Sequence, residues 1–259
     1  MDISDKAERR HEKIKELLLK NNIYLIEDFC RDLDVSEATI RNDLTYLEKQ
    51  GRLRRITSGA VATLGTMYDS VYARRSSLCV GEKKKIAKYV TENYIKDGMT
   101  ITLDSGSTCR MIAEEIIDRK IKCSVVTNSL SALNVLTKSR DVAVYLAGGR
   151  YNQQNDSFHD EQTVACLANF HSEVFFLSPD GIDTTSITTD YNTENFVKNE
   201  MIKNADKVFA IADYTKIGKR CLKKICDIEQ IAKIITDDKT PREQLRAFKE
   251  TGIVIEVAK

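Results

Sequence analysis

The sequence predicts two parts: a helical head of about sixty residues that ends in a hairpin, then an α/β domain of about 180 residues around a mainly parallel sheet. Three observations predict this. The first sixty residues carry three helical patterns followed by a short, Arg-rich alternating segment. From residue 82 onward, apolar strand-like runs alternate with helical stretches of ten or more residues. The length of 259 residues is also more than one ordinary domain needs.

In the head, Ile14, Leu17 and Leu18 recur at helical spacing between Lys6 and Lys20, and Asn21 with Asn22 breaks the pattern. Ile26, Phe29 and Cys30 mark a short second helix ending near Leu33, after which Asp34, Val35 and Ser36 supply a turn and an N-cap. A third helix runs from Ser36 to about Lys49. At about 100° per residue, Ile40, Leu44 and Leu47 share one face. Ala38, Asn42, Thr45 and Lys49 share the opposite one, with Arg41 and Tyr46 at its flanks. Gly51 closes this helix, and "RLRRITSGAVATL" alternates like a hairpin that carries Arg52, Arg54 and Arg55.

Helix, short helix, tight turn and a helix with a polar outer face is the helix-turn-helix order, in which the last helix enters the major groove. A basic hairpin behind it reads as a wing that grips phosphates, so residues 1–62 are expected to form a winged helix-turn-helix that binds double-stranded DNA. A three-helix docking module is the competing reading, and the Arg cluster counts against it. Ser36 and Thr39 open the recognition helix. Ala38, Asn42, Thr45 and Tyr46 would approach base edges or adjacent phosphates, and Arg41, Lys49, Arg52, Arg54 and Arg55 would contact the backbone. Arg41 could equally pair with Asp43 or Glu37. Asp43 itself reads as an orienting partner, since a carboxylate repels phosphate.

Residues 63–80 have no clear periodicity and read as a connection, leaving 81–259 as an effector-binding and oligomerisation domain. Its pattern runs helix 82–95, strand "MTITL", helix 107–118, strand "CSVVT", helix 129–138 and strand "VAVYLAG". A helix near 160–169, strand "EVFFLS", a helix at 193–204, strand "KVFAIA" and a mixed C-terminus ending "GIVIEV" follow. Such an order implies a parallel sheet covered on both faces, with ligands at the carboxyl ends of the strands.

The loops at those ends concentrate glycine and polar residues. Asp104, Ser105, Gly106, Ser107 and Thr108 follow the first strand, and Thr127, Asn128 and Ser129 the second. Gly148, Gly149 and Arg150 follow the third, Asp180, Gly181 and Asp183 the fourth, and Lys216 the fifth. Gly106 allows close backbone approach, while Ser107 and Thr108 place hydroxyls and amides at a helix N-terminus, where the dipole favours an anion. One Ser-Gly-Ser-Thr turn can be no more than a helix cap. Five polar loops on one sheet edge point to a bound phosphate. Ser105 to Thr108 would hold the phosphate, Asp104, Asn128, Asp180 and Asp183 the sugar hydroxyls, and Arg150 and Lys216 would supply charge complementarity, unless Lys216 is one surface lysine among Lys219, Arg220, Lys223 and Lys224.

Composition limits the alternatives. Lys and Arg number 40 against 39 Asp and Glu, a net charge of +1, so binding of a polyanion must rest on a local patch. Cysteines at 30, 79, 109, 123, 166, 221 and 226 show no close pairing of the kind metal and redox motifs use. A reduced, cytoplasmic protein with no metal and no cofactor is expected. No apolar stretch approaches the roughly eighteen residues a membrane span needs.

The particular residues go further. "VSEATIRNDLTYLEKQGRLRRITSGAV" resembles the N-terminal signature of the DeoR family of bacterial transcriptional regulators in Ser36, Thr39, Ile40, Arg41, Asp43, Leu44, Leu47, Glu48, Gly51, Leu53, Arg55, Gly59 and Ala60. Asn42 stands where the family has a second Arg, and Ser58 where it has the first wing Gly. Asn pairs bidentately with adenine and Arg with guanine, so the operator of relatives does not transfer. "ARRSSLCVGEKKKIAKYV", with its Arg, its Glu-Lys and its Ile-Ala, and then "LDSGST", "VVTNS", "LAGG", "DGID", "EMI" and "ADYTKIG" resemble the family's effector domain, so the likeness covers nearly the whole chain.

This resemblance implies a domain related in fold to ribose-5-phosphate isomerase and the CoA transferases, sensing a phosphorylated sugar or related metabolite. It also implies repression of carbohydrate genes that the ligand releases, exerted by a homodimer or homotetramer. An isomerase of that fold would need a Lys and a Glu soon after Asp183. Here "TTSITTDYNTE" follows, and Lys198 with Glu194 reads as a surface i, i+4 pair, so no catalytic residue is expected.

Overall fold

The computed structural model describes residues 5–21, 23–50, 52–56, 58–61, 71–190 and 194–259. The chain divides into two compact units, Met1–Ser70 and Val71–Lys259. In the first unit, α1 (Asp5–Asn21), α2 (Ile26–Leu33) and α3 (Glu37–Lys49) enclose a core of Ile14, Leu18, Ile26, Phe29, Ile40, Leu44 and Leu47. These are the residues whose spacing marks the three helices. Asp34 turns the chain in the left-handed region (φ 51°) after α2, and the Ser36 hydroxyl accepts the Thr39 amide at 3.3 Å to cap α3.

The hairpin is part of a three-stranded antiparallel sheet, because β1 (Ile23–Leu25) joins β2 (Arg54–Ile56) and β3 (Gly59–Val61) in the order β1-β3-β2. The strand between α1 and α2 is three residues long, too short for an alternation pattern to announce. Gly59 is required there: a Cβ at this position would lie 2.1 Å from the Tyr24 carbonyl oxygen of β1. Gly51, expected to close α3, lies outside the described residues, as does the Arg54 side chain.

The second unit opens with α4 (Val71–Ser77) and α5 (Val80–Tyr94). Part of the stretch expected as a connection is therefore helical; its residues 63–70 lie outside the described residues. The apolar residues of α4, Val71, Tyr72 and Ala73, are consecutive and none recurs three or four positions on, so no helical period shows. The chain then alternates β4 (Thr100–Leu103), α6 (Ser107–Asp118), β5 (Cys123–Thr127), α7 (Leu130–Leu136) and β6 (Val142–Leu146). A small hairpin of β7 (Tyr151–Asn152) and β8 (Ser157–Phe158) precedes α8 (Glu161–Leu167) and β9 (Ser172–Leu177). Next come β10 (Gly181–Ile182), β11 (Ser186–Thr189), α9 (Glu194–Lys203), β12 (Ala205–Ile211) and β13 (Lys223–Asp227). The chain ends in β14 (Lys233–Asp237), α10 (Arg242–Glu250) and β15 (Ile255–Ala258).

Seven of these strands form one parallel sheet in the order β15-β14-β12-β9-β4-β5-β6. Alternate residues of its central strands feed two cores. Val174 and Phe176 of β9 with Phe209 and Ile211 of β12 join the core containing α5, α6 and α7 residues. Phe175 and Leu177 with Val208 and Ala210 join the core containing α8, α9 and α10 residues. Strands β10, β11 and β13 form a separate antiparallel sheet. The parallel sheet is as expected, with two strands more than the five read from the sequence, and the side sheet was not anticipated. Its first strand has two residues, and the second, Ser186–Thr189, holds three hydroxyl side chains where an apolar run would signal a strand.

Connections from β4 run outward through β5 and β6 on one side, and β9, β12, β14 and β15 fill the other. The winding therefore reverses between β4 and β9, the place where a doubly wound sheet opens a crevice.

Candidate functional site

In the first unit, Ala38, Arg41, Asn42, Tyr46 and Lys49 form an exposed face on α3, with Thr45 half-buried beside them, and Arg52 is exposed. Each is held differently. Arg41 lies 2.6 Å from Glu37 in an exposed pair worth about 0.5 kcal/mol or less. The Tyr46 ring stacks on His11 of α1 with centroids 5.1 Å apart. The Arg55 guanidinium donates to the Thr45 hydroxyl at 2.6 Å, and its amide donates to Glu48 at 2.7 Å, so the β2 strand is pinned to α3. Asp43 faces inward and is 7% exposed. It accepts from Arg10 at 2.5 and 3.0 Å and lies 2.9 Å from the His11 imidazole, fastening α3 to α1.

In the second unit, the crevice at the β4 and β9 carboxyl ends holds a cavity of about 380 Å³. Gly106, Ser107 and Thr108 at the start of α6 line it, facing Ser178, Pro179 and Asp180 after β9 and Asp213 to Lys216 after β12. Gly106 is the N-cap of α6, and a Cβ there would lie 2.1 Å from the Ser178 hydroxyl oxygen, so only glycine lets the two strand ends close. The amides opening α6 have no acceptor within the helix and offer themselves to an anion. Arg75, Lys83 and Lys216 supply positive charge on the same walls.

Asp180 is the negative centre between those cations. One of its oxygens lies 3.2 Å from Arg75 and 3.7 Å from Lys216, and the other accepts the Thr189 hydroxyl at 2.9 Å and the Asp190 amide at 3.2 Å. Burial pushes this carboxyl up, but Arg75, Lys216 and Lys198 outweigh it and leave it below the usual carboxylate value. Burial holds the Lys83 ammonium below its ordinary value. It donates to the Leu78 carbonyl at 2.7 Å and to the Arg75 carbonyl, which fixes the corner between α4 and α5.

Asp104 lies beneath this surface, 1% exposed. Its carboxylate accepts the Ser105 amide at 2.8 Å, the Ser178 amide at 2.9 Å and the ammonium of Lys198. Lys198, read from the sequence as half of a surface pair, is 2% exposed and ties α9 to both strand ends. The correction has a physical reason: an i, i+4 spacing identifies a helix face without saying whether that face is buried, and a lysine is buried only when a partner such as Asp104 waits for it. The Glu194 side chain lies outside the described residues.

Other polar loop residues stand off the cavity. The Thr127 hydroxyl donates to the Leu103 carbonyl at 2.8 Å, Asn128 donates to the Phe158 carbonyl at 2.9 Å, and Ser129 caps α7 through the Ala132 amide at 3.2 Å. Gly148, Gly149 and Arg150 follow β6, at the sheet edge, where the Arg150 amide donates to Asp160 at 2.7 Å. Gly181 is buried in β10. Asp183 is a turn carboxylate that accepts the Thr185 and Ser186 amides at 2.8 and 2.9 Å and Arg220 at 2.5 Å. Of the predicted effector residues, the cavity is lined by Gly106, Ser107, Thr108, Asp180 and Lys216.

Arg75 and Lys83 line the cavity without having been expected as effector residues, although both fall in the stretch that resembles the start of the family's effector domain. Arg75 donates to Asp180 at 3.2 Å and to Asn155 at 2.6 Å. The family resemblance marks an arginine in "ARRSS", but nothing in the sequence says that it reaches Asp180. Beside it lies a buried imidazole, His159, whose Nε2 is 2.7 Å from the Ser157 hydroxyl. Burial, and then the charges of Lys198 and Arg75, push it down to about 4, so it is neutral at neutral pH. Cys109 is fully buried in the first turn of α6, and burial pushes its thiol up, which suits packing and not nucleophilic attack. Among the described residues no cluster of His, Cys, Asp and Glu could hold a metal ion, and no helix is long and apolar enough to cross a membrane.

Comparison with known proteins agrees with both halves. The family model described as a DeoR-like helix-turn-helix domain matches residues 10–64, and that of the DeoR C terminal sensor domain matches residues 79–238. The HTH-type transcriptional regulator GolR of Listeria innocua is 30% identical over 250 residues, 96% of this chain and 98% of that protein. The lactose phosphotransferase system repressor of Staphylococcus epidermidis is 28% identical over 93% of this chain and 97% of that one. Among solved structures, ribose 5 phosphate isomerase A from Neisseria gonorrhoeae is 17% identical with a TM-score of 0.38, over 52% of each chain.

Proposed function

The chain belongs to the DeoR family of bacterial transcriptional regulators, and from that premise we propose that it represses carbohydrate-metabolism genes until a phosphorylated sugar fills the β4–β9 crevice. The observation that carries the ligand reading is the cavity itself. It joins the amino end of α6 at Gly106 to Thr108 with Arg75 and Lys216, whose nearest carboxylate, Asp180, a phosphate could replace. Nothing in this arrangement requires bond breaking. Lys198, the only lysine shortly after the Asp180 to Asp183 turn, is spent on Asp104. A relative named as a lactose phosphotransferase system repressor supports the carbohydrate reading.

The protein acts in the cytoplasm as a homodimer or homotetramer, since two heads related by a twofold axis suit half-sites about one helical turn apart. Ligand and operator oppose each other through a coupling on the order of 1–3 kcal/mol, which changes operator affinity several-fold to about a hundredfold. A thermal-shift screen of the full chain against sugar monophosphates tests the reading. A true effector at a hundred times its dissociation constant adds about 2.7 kcal/mol and raises the melting temperature. Unchanged melting with every sugar phosphate, or turnover of one of them, would sink it.

A further inference from the structure

Around the contact of Arg75 with Asn155 and the buried Lys198–Asp104 pair lies a set of buried polar side chains with unused hydrogen-bonding atoms. Asn128, Asn155, His159 and Asn195 are 0, 1, 4 and 9% exposed. The Asn128 amide donates its NH₂ to the Phe158 carbonyl at 2.9 Å, which leaves its oxygen without a partner. Asn155 accepts Arg75 through its oxygen at 2.6 Å, which leaves its NH₂ without one. His159 shares Nε2 with Ser157, and its Nδ1 has no partner. The Asn195 oxygen is likewise unpartnered, on α9 one turn before Lys198.

Buried amide and imidazole atoms in folded proteins are almost always satisfied, so several orphans in one neighbourhood mark a place where something polar binds. The set offers a donor (Asn155), two acceptors (Asn128 and Asn195) and an imidazole nitrogen that serves as either according to tautomer. Hydroxyl groups, each donor and acceptor at once, are the natural complement of such a mixture. A second phosphate is not: two free amide oxygens would face its charge with no donor of their own.

We propose that Asn128, Asn155, His159 and Asn195 form a hydroxyl-reading subsite that takes the polyol end of the ligand, while its phosphate is held at Gly106 to Thr108. This deepens the effector reading and rests on it. The subsite adjoins the cavity through Arg75, which lines the cavity and donates to Asn155. Selectivity among phosphorylated ligands then comes from the number and placement of hydroxyls, since the amino end of α6 treats all phosphate monoesters alike.

The test measures binding to the full chain by calorimetry with inorganic phosphate, glycerol 3-phosphate, ribose 5-phosphate, glucose 6-phosphate, fructose 6-phosphate and sorbitol 6-phosphate. The tightest polyol phosphate is expected to bind at least tenfold better than inorganic phosphate. Asn195→Ala and His159→Phe should each remove about tenfold of that advantage while leaving inorganic phosphate affinity within twofold. Should a variant fail to fold, a crystal structure with the tightest probe decides. Ligand hydroxyls within hydrogen-bond distance of Asn155 Nδ2 and His159 Nδ1 support the subsite, and the same ordered waters there with and without the probe overturn it. Equal binding of inorganic and sugar phosphates overturns the subsite and leaves the phosphate grip standing. No binding of any probe overturns both.

Discussion

His159 is the residue whose chemistry gives the plainest consequence for pH. It is surrounded by Lys198, Arg75, Asp104 and Asp160, and burial with the two cations holds it near 4. An unfolded imidazole titrates near 6.5. Above that value both states are neutral and the group contributes nothing to pH dependence. As pH falls from about 6.5 to about 4, the unfolded chain takes up a proton that the folded chain refuses, and stability drops by on the order of 3 kcal/mol. Urea unfolding of His159→Phe should therefore show a flatter fall across that window than the wild type. Parallel curves for the two proteins would show that the imidazole is not the group responsible. At this scale the sequence identified Asp104, Ser107, Thr108 and Asp180 as polar residues at strand ends, and the structure separates their duties. Asp104 is buried beneath the cavity with Lys198, while Ser107, Thr108 and Asp180 line it.

Among the elements, α3 was the most legible, because thirteen residues give more than three turns in which Ile40, Leu44 and Leu47 can repeat. Strand β1 and helix α4 were not, since three residues carry no measurable alternation and "VYARRSS" repeats no apolar residue at helical spacing. The way α3 is mounted is equally local to the fold: Asp43 joins it to Arg10 and His11, partners more than thirty positions away in the chain. Removing one side of a buried ion pair leaves the other side desolvated and unpaired. Asp43→Ala is expected to destabilise the first unit by about 3 kcal/mol. Hydrogen exchange should quicken in α1 and α3 and remain unchanged in the seven-stranded sheet. Unaltered exchange in α1 would mean that packing alone holds the two helices together.

For the whole molecule, a net charge of +1 gives no general attraction to DNA, so affinity must come from the exposed cations near α3 and the wing. Binding to operator DNA should weaken with salt at roughly 0.9 log units per log unit for each phosphate contacted. Arg52→Ala should lower that slope by about one contact, whereas Asn42→Ala should change the preferred sequence and leave the slope alone. A slope near zero would count against the groove-binding role. The sequence by itself determined the two-part organisation, the parallel sheet and the family, because periodicity and the Ser36 to Ala60 and "LDSGST" stretches are local in the chain. Only the tertiary structure decided which strand ends meet. Placing β9 beside β4 brings Gly106 against Ser178 and joins Arg75 to Asp180 across 105 positions of sequence, and it leaves the loop after β6 at the sheet edge. Strand order follows from how the crossovers pack their apolar faces on the sheet, a collective result that no single segment encodes. The phosphate loop at Gly106 to Thr108 could thus be read from the chain, and its grouping with Arg75, Lys83 and the buried amides could not.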